Sequence, residues 1–349
     1  MLNQRAIKLL QDLIEIESFS KNESGTAKRL EKWFQDSNIT FQRKENNLWA
    51  VNKSFDPKKP TLLLNSHHDT VLPNKAYTRN PFVAEILDGK LYGLGSNDAG
   101  GALVSLLACF NYFYENPNLK YNILMVASAE EETAGDKSLR YLIPYLPKID
   151  FAIIGEPTQM ELAIAEKGLV VFDVEIKGTP SHAAHPNKDN PLMKLPEIIK
   201  KIENISFEKV SPILGPVKLT LTQINAGSQH NVVPSEVKLV LDVRVNECYQ
   251  NDEINEVIQK ALPCNVKARS LHLKSSSISI DHPIVKAGEK LGRKTYGSPT
   301  LSDQASLSCP SLKLGPGDST RSHSSDEFIY IKEIEEGISI YINLLKQII

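Results

Sequence analysis

Histidine and acidic side chains follow several apolar runs at the points where these runs end. A His-His-Asp triplet at 67–69 follows one such run, and three glutamates at 130–132 follow the run 122–128. Ligands of open α/β sheets bind beyond the carboxyl ends of the strands, so we expect both groups at one edge of a sheet. In extended chain His67 and Asp69 point the same way, which lets the Asp69 carboxylate fix the tautomer of the imidazole.

Three further segments place residues that can bind metal beside glycine or proline. Asp98 lies in the glycine-rich stretch 93–101, Glu156 follows a short apolar run, and His323 lies in a long polar loop. Each has a plainer interpretation, since an isolated Asp often caps a helix and a Glu often starts a turn. The glycine-rich stretch also suggests a phosphate cradle, but it contains neither G-x-G-x-x-G nor G-K-S/T.

Together these segments supply two imidazoles and four or five carboxylates. Oxygen and imidazole ligands without thiolate suit Zn²⁺, Co²⁺ or Mn²⁺ in a catalytic site. The number of ligands fits a pair of cations about 3.5–4 Å apart that share one carboxylate. The cysteines are far apart and support neither a disulfide framework nor a thiolate site (Cys109, Cys248, Cys264, Cys309). The sequence therefore predicts two divalent metal ions, Zn²⁺ with Co²⁺ as the alternative.

The composition excludes several classes of protein. The chain has 40 Lys and Arg against 42 Asp and Glu, a net charge of −2, whereas a nucleic-acid-binding protein needs a basic excess to neutralise phosphates. No window approaches about 18 consecutive apolar residues, so no membrane span is predicted. The first residues lack the apolar core of a secretion signal, and with the scattered cysteines this predicts a cytoplasmic protein.

The elements that must position these residues alternate between helix and strand. Helical spacing in the first 35 residues is followed by predicted strands at 48–51, 61–65, 122–128 and 151–155 and a buried helix at 99–114. This alternation indicates an α/β domain with helices on both faces of a sheet.

From residue 169 the pattern changes to a half-exposed strand followed by helix, two strands, helix and strand (169–177, 191–204, 217–224, 236–245, 252–262, 265–273). This βαββαβ order is typical of a ferredoxin-like domain. The α/β pattern then returns with a helix near 283–291 and an amphipathic helix from Ile331. We therefore predict a catalytic α/β domain of residues 1–168 and 279–349, with a central mixed sheet, and an inserted α+β domain of residues 169–278.

The order of the motifs resembles that of the two-zinc amidohydrolases, the family of acetylornithine deacetylase, succinyl-diaminopimelate desuccinylase, aminoacylase and carboxypeptidase G. The motifs are His-x-Asp, Gly-x-Gly-x-x-Asp, three acids, Gly-Glu-Pro-Thr and a late histidine, and they span nearly the whole chain. Carried over by position, the resemblance implies that Asp98 bridges two metals. It implies that His67 and Glu156 complete one metal site, and that Glu132 and His323 complete the other.

The same resemblance implies roles for further residues. Glu131, the middle acid, would be the general acid/base, and Asp69 would orient the first metal-binding histidine. In the inserted lid and dimerisation domain, His182 matches the histidine that reaches into the partner subunit's site, which implies a homodimer. Asn231 and Arg244 match residues that contact substrate, and the Arg244 fork is suited to a substrate carboxylate.

The resemblance also implies hydrolysis of the N-acyl amide of an amino acid, a small-molecule substrate. The short chain and the Gly-Pro-Gly-Asp-Ser loop at 315–319 are most similar to the acetylornithine deacetylase branch. The expected substrate is therefore N-acetyl-L-ornithine or N-acetylcitrulline of arginine biosynthesis. A desuccinylase, a hydrolase of carrier-bound lysine or ornithine, and a dipeptidase are alternatives within the family. A non-catalytic protein stabilised by metals and a nucleotide-binding enzyme are alternatives from other classes.

Overall fold

The computed structural model describes residues 2–349 and divides them into two compact units. The first unit runs to Ile164 and includes Ser277–Tyr296 and Ser302–Ile349. The second unit comprises Ala165–Ser276 and Gly297–Leu301. The domain boundaries predicted from the sequence lie after residues 168 and 278.

The α-helices are α1 (Leu2–Ile14), α2 (Ser24–Asp36), α3 (Gly101–Phe113), α4 (Leu139–Leu142), α5 (Pro191–Glu203), α6 (Asn251–Ala261), α7 (Pro283–Lys290) and α8 (Ile331–Leu345). The strands up to the start of the second unit are β1 (Gln42–Lys44), β2 (Asn47–Val51), β3 (Thr61–His67), β4 (Glu85–Leu87), β5 (Lys90–Tyr92), β6 (Asn122–Ser128), β7 (Phe151–Ile154) and β8 (Leu162–Glu166). The later strands are β9 (Gly168–Lys177), β10 (Ser181–His182), β11 (Lys218–Ala226), β12 (Val232–Val233), β13 (Glu236–Val245), β14 (Asn265–Ala268), β15 (Ser276–Ser277), β16 (Thr295–Ser298), β17 (Ser311–Lys313) and β18 (Phe328–Tyr330).

The main sheet of the first unit is mixed, as the sequence predicts. Its strands run in the order β1-β2-β6-β3-β7-β17-β8. Strands β6, β3, β7 and β17 are parallel to one another. Strand β1 pairs antiparallel with β2, β2 with β6, and β8 with β17. A separate small sheet of the first unit has the order β18-β5-β4.

Every residue of β3 and β6 is buried because apolar layers cover both faces of the sheet. Leu62 and Leu64 of β3 pack into the larger layer, which includes side chains of α1, α3 and α8. Leu63, between them, packs into a smaller layer with Trp49 on the opposite face. This two-sided burial explains why the parallel strands are continuous apolar runs rather than alternating ones.

The parallel register brings the carboxyl ends of the central strands to one edge. His67 at the end of β3 lies opposite Ser128 at the end of β6, and Asn65 lies opposite Ile154 at the end of β7. The residues that follow these strands therefore lie beside one another, which is the arrangement predicted for the polar groups.

The second unit is an antiparallel sheet with the strand order β11-β13-β9-β14, accompanied by α5 and α6. With the chain order β9-α5-β11-β13-α6-β14, this is the ferredoxin-like arrangement, so the predicted fold class is confirmed. Alternate residues of β9 are buried in an apolar cluster of their own. Among the helices of residues 2–349, none is both long and apolar enough to cross a membrane.

Candidate metal centre

The side chain of Asp98 lies between two imidazoles. Its Oδ1 is 3.3 Å from Nε2 of His67, and its Oδ2 is 3.7 Å from Nε2 of His323. His323 Nε2 is also 3.0 Å from Oε2 of Glu132, and His67 Nε2 is 3.9 Å from Oε1 of Glu156. Potential ligand atoms of His67, Asp98 and Glu132 all lie within 4.8 Å of one another. The structure thus brings together all five residues predicted as metal ligands.

Local backbone structure holds Asp98 out of the helix that follows it. The residue belongs to the irregular turn Ser96–Gly100 and has non-helical torsion angles, φ −119° and ψ 97°. Helix α3 begins at Gly101 with Gly100 as its N-cap, and no side chain caps it. The plainer interpretation of Asp98 as a helix cap therefore fails, and its carboxylate is left to face the two histidines.

Asp69 orients His67 through a different atom from the one that the spacing suggested. The backbone carbonyl of Asp69 is 2.9 Å from His67 Nδ1, whereas its carboxylate Oδ1 is 3.5 Å away. The carboxylate instead accepts hydrogen bonds from the backbone N–H groups of Glu131 (3.0 Å) and Glu132 (3.2 Å) and from the Ser20 hydroxyl (2.6 Å). Asp69 therefore fixes both the first histidine and the acidic loop that follows β6.

The three consecutive glutamates occupy different environments. Glu130 is buried and has a positive φ of 56°. Its carboxylate accepts a hydrogen bond from the backbone N–H of Lys137 at 3.1 Å and so stabilises the loop that follows β6. Glu132 faces His323. Glu131 lies between them with an Oε2 4.0 Å from His67 Nε2, and no hydrogen bond to its carboxylate is found among residues 2–349. Glu131 is thus the acid that remains free to accept a proton.

Negative charge accumulates in this site and shifts the pKa of its members. Burial, followed by the charge of Asp98, raises the pKa of Glu156 to about 8. Burial and the charges of Glu156, Asp303 and Glu132 hold the pKa of Glu131 well above its usual value, although His67 opposes them. Burial and the neighbouring carboxylates thus make Glu131 and Glu156 harder to ionise.

The same negative charge raises the pKa of both histidines of the site. Burial alone would lower the pKa of His67, but hydrogen bonds to Asp69 and Asp98 outweigh it and hold the pKa well above its usual value. The hydrogen bond and charge of Glu132 raise the pKa of His323 to about 9. The site therefore contains more carboxylates than the two imidazoles can neutralise, and divalent cations would neutralise the remaining negative charge. The oxygen and nitrogen donors suit Zn²⁺ or Co²⁺.

His68 faces away from this cluster into a hydrogen-bonded network of its own. Its Nε2–H donates to the Asn46 carbonyl and its Nδ1 accepts from the Thr26 hydroxyl, both at 2.9 Å. Burial lowers the pKa of His68 to about 4, so the ring is neutral near pH 7.

Because the ordinary pKa of histidine in an unfolded chain is about 6.5, the unfolded state binds the extra proton first as the pH falls. For the metal-free protein we therefore expect His68 to lower the free energy of unfolding by up to about 3 kcal/mol as the pH falls from 6.5 to 4. His68→Gln should remove that part of the pH dependence in denaturant titrations at several pH values. His272→Gln, on an exposed side chain, is the control, and equal pH slopes in the wild type and His68→Gln would contradict the expectation.

Two buried acids near the site were not predicted. Asp303 Oδ2 accepts hydrogen bonds from Asn65 Nδ2 (2.8 Å) and the Ser128 hydroxyl (2.6 Å), at the ends of β3 and β6. Glu327 is 1% exposed, and burial followed by the charge of Asp98 raises its pKa to about 8. Glu327 precedes the short strand β18, and no motif distinguishes it from the rest of the polar loop.

The inserted unit places the other predicted residues at two separate locations. The His182 and Asn231 segments are adjacent, because β10 pairs with β12 and the Ala183 N–H donates to the Asn231 carbonyl at 2.9 Å. Both side chains are exposed. Strand β13 begins at Glu236, shortly after the Asn231 segment, and Arg244 lies near its other end. At the rise per residue of an extended chain, Arg244 is about 27 Å from Glu236. Its guanidinium forms a two-point contact with Asp242, at 2.8 and 3.1 Å.

Imidazoles and carboxylates thus converge at the carboxyl edge of a mixed α/β sheet, where they form a candidate metal centre. A family model described as peptidase family M20/M25/M40 matches residues 63–347. The chain belongs to this family.

Curated relatives cover the whole chain. Over 364 residues the chain is 27% identical to a LysW-lysine/LysW-ornithine hydrolase of Saccharolobus solfataricus, and the match covers 100% of this chain and 97% of the relative. Over 383 residues it is 26% identical to a succinyl-diaminopimelate desuccinylase of Rickettsia felis, covering 98% and 100%.

Solved structures share the fold. An M20 family metallo-carboxypeptidase from Sulfolobus solfataricus has a TM-score of 0.79 at 16% identity, with 98% of each chain covered. A dinuclear metal binding peptidase of the same family from Bacillus subtilis has a TM-score of 0.72 at 16% identity, with 99% of this chain and 97% of the other covered.

Proposed function

We propose that this protein is a two-metal amidohydrolase that releases a diamino acid from its N-acyl derivative. The observation that carries the proposal is the Asp98 carboxylate between two imidazoles, with the Glu131 carboxylate 4.0 Å from one of them. The two curated relatives, named for LysW-linked lysine or ornithine and for succinyl-diaminopimelate, support the diamino acid part. N-Acetyl-L-ornithine, the substrate expected from the sequence, belongs to the same chemical class.

The same residues would hold the metals. His67, Asp98 and Glu156 would bind one cation, and Asp98, Glu132 and His323 the other. When bound, two divalent cations would polarise the amide carbonyl and make water more acidic, and Zn²⁺ or Co²⁺ fits the donor atoms. Asp69 would keep this set in place through the contacts that its carbonyl and carboxylate make to His67 and the acidic loop.

Proton transfer would fall to Glu131. Its carboxylate would take a proton from the attacking water and then deliver it to the leaving amine nitrogen as the C–N bond breaks. Burial and the charges of the neighbouring acids raise the pKa of the Glu131 carboxyl, which makes it a stronger base for the proton of water. The products would be a carboxylic acid and the free amino acid.

We further propose a cytoplasmic homodimer in which His182 of one chain stabilises the reacting carbonyl oxygen in the other, while Asn231 and Arg244 contact substrate. The inserted unit supports dimerisation because β11 is an edge strand with an exposed Ile224 (48%), and an unpaired edge readily pairs with another chain. His182 is exposed, as a residue serving a second subunit must be. Sedimentation velocity at the protein concentrations used in the activity assays tests this proposal. A monomer under those conditions would contradict the dimer.

The decisive experiment is a panel of N-acyl amino acids, assayed before and after chelation. The panel contains N-acetylornithine, N-acetylcitrulline, N-succinyl-diaminopimelate, LysW-linked lysine and ornithine, and two dipeptides. We expect one of the diamino acid derivatives to be hydrolysed fastest, the chelated protein to lose more than about 99% of this activity, and Zn²⁺ or Co²⁺ to restore it.

The panel also separates the alternatives. Dipeptides as the best substrates would make the protein a peptidase instead. Metal binding without hydrolysis of any member would favour the non-catalytic protein stabilised by metal.

A further inference from the structure

Glu327 is buried against the turn that carries Asp98. Its carboxylate accepts hydrogen bonds from the backbone N–H groups of Gly95 (3.1 Å), Asn97 (2.8 Å) and Asp98 (2.9 Å). The Glu327 backbone carbonyl accepts the N–H of Gly93 at 3.0 Å. One residue therefore receives four of the N–H groups in the stretch between β5 and α3.

Backbone N–H groups are the partners that the structure provides for the Glu327 carboxyl group. No Lys, Arg or His side chain among residues 2–349 forms an ion pair with Glu327. Burying a carboxylate is unfavourable unless donors replace its water, and three convergent N–H groups do so. The turn and the carboxylate therefore fix each other, because removing the carboxylate would leave three buried donors without an acceptor.

The contact also joins two segments that carry proposed metal ligands. Glu327 is four residues after His323, and its partners end at Asp98, so one side chain links the two loops that face each other across the site. The adjacent Asp326 provides a comparison, because its carboxylate accepts the backbone N–H groups of Thr78 and Arg79, both at 2.9 Å. That loop carries none of the proposed ligands.

We infer that Glu327 is a positioning residue that holds the Asp98 carboxylate in place between the two metal sites and keeps the His323 loop against it. This inference rests on the proposed function, in which Asp98 is shared by two cations. Glu327 contacts the backbone rather than substrate or metal, so it acts through Asp98. Its loss should weaken metal binding first and lower turnover as a consequence.

The test compares Glu327→Gln with Asp326→Asn. Glutamine keeps the size of the side chain but offers one acceptor oxygen and turns an NH₂ group towards N–H donors. For Glu327→Gln we expect Co²⁺ titrations to show binding of at least one ion weakened on the order of 10–100-fold, which is typical when a residue that orients a metal ligand is replaced. We also expect an altered visible Co²⁺ spectrum, a reduced kcat with KM changed less than about threefold, and partial recovery of kcat at high metal concentration. Asp326→Asn should bind both ions like the wild type.

Circular dichroism and thermal melts establish whether Glu327→Gln is folded. If it is not, Glu327→Asp, which keeps the charge but shortens the reach, is measured in the same way and should show the same losses to a smaller degree. A folded Glu327→Gln, or a folded Glu327→Asp in its place, with wild-type metal affinity and Co²⁺ spectrum would overturn the inference. A wild-type protein that binds fewer than two ions would instead overturn the proposed function, so the two failures are distinguishable.

Discussion

Glu131→Gln is expected to leave both metal ions bound and to lower kcat by about 10³-fold, within the range for loss of a general base. Glutamine has the size of glutamate but cannot take up the proton of the attacking water. The Glu131 carboxylate lies 4.0 Å from His67 Nε2 and has no hydrogen-bond partner among the described residues, so its loss breaks no observed contact. The side-chain exchange should therefore remove chemistry while leaving the fold and the ligands intact.

The measurements are metal content after desalting, steady-state kinetics and the thermal midpoint. Asp136→Asn is the matched control, because it removes an exposed negative charge from the same loop without touching the site. A Glu131→Gln protein with near-normal kcat would remove the base assignment. A loss of bound metal would show instead that Glu131 is a ligand.

The sequence predicts most of the strands and helices that position this site, because the spacing of apolar residues indicates which side chains are buried. The alternation in β9 and the apolar runs of β3, β6 and β7 correspond to one-sided and two-sided burial, respectively. The three-residue strands β4 and β5 were not predicted, since a strand this short contains too few residues to show a period.

The predicted strand at 265–273 is too long for a physical reason that lies elsewhere in the chain. Observed pairing in β14 ends at Ala268. Beyond it, the carbonyls of Leu271 and Leu273 accept hydrogen bonds from the Asn251 side chain, at the start of α6. A side-chain partner about twenty residues away decides where the strand ends, and apolar spacing does not record it.

His67, Glu132 and Glu156 follow apolar strands and Asp98 lies in a glycine-rich stretch, and the family resemblance added His323 and the division of roles. The residues that support these proposed ligands could not be predicted in this way. Glu327 is 232 residues from Gly95 in the chain, and Asp303 is 238 residues from Asn65. Both act by accepting hydrogen bonds, mostly from backbone groups or from common polar side chains, so neither forms a local motif. Their roles follow from the tertiary structure alone.

We expect Asp98→Asn to weaken metal binding more than Glu131→Gln does. The amide keeps the shape of the side chain but removes the charge that lies between His67 and His323. We expect at most one ion per chain after desalting. We also expect kcat/KM to fall by more than about 10³-fold, because loss of one of the two cations removes several kcal/mol of transition-state stabilisation.

Excess metal distinguishes this variant from Glu327→Gln. Ions that bind the native state raise the thermal midpoint in proportion to the logarithm of their concentration over the dissociation constant. The metal-induced rise should therefore be largest in the wild type, smaller in Glu327→Gln and smallest in Asp98→Asn, and high metal should restore activity only to Glu327→Gln. Asp281→Asn, whose carboxylate is 84% exposed, should match the wild type. Two ions retained in Asp98→Asn would mean that Asp98 is not the shared ligand, and the mechanism built on it would fall.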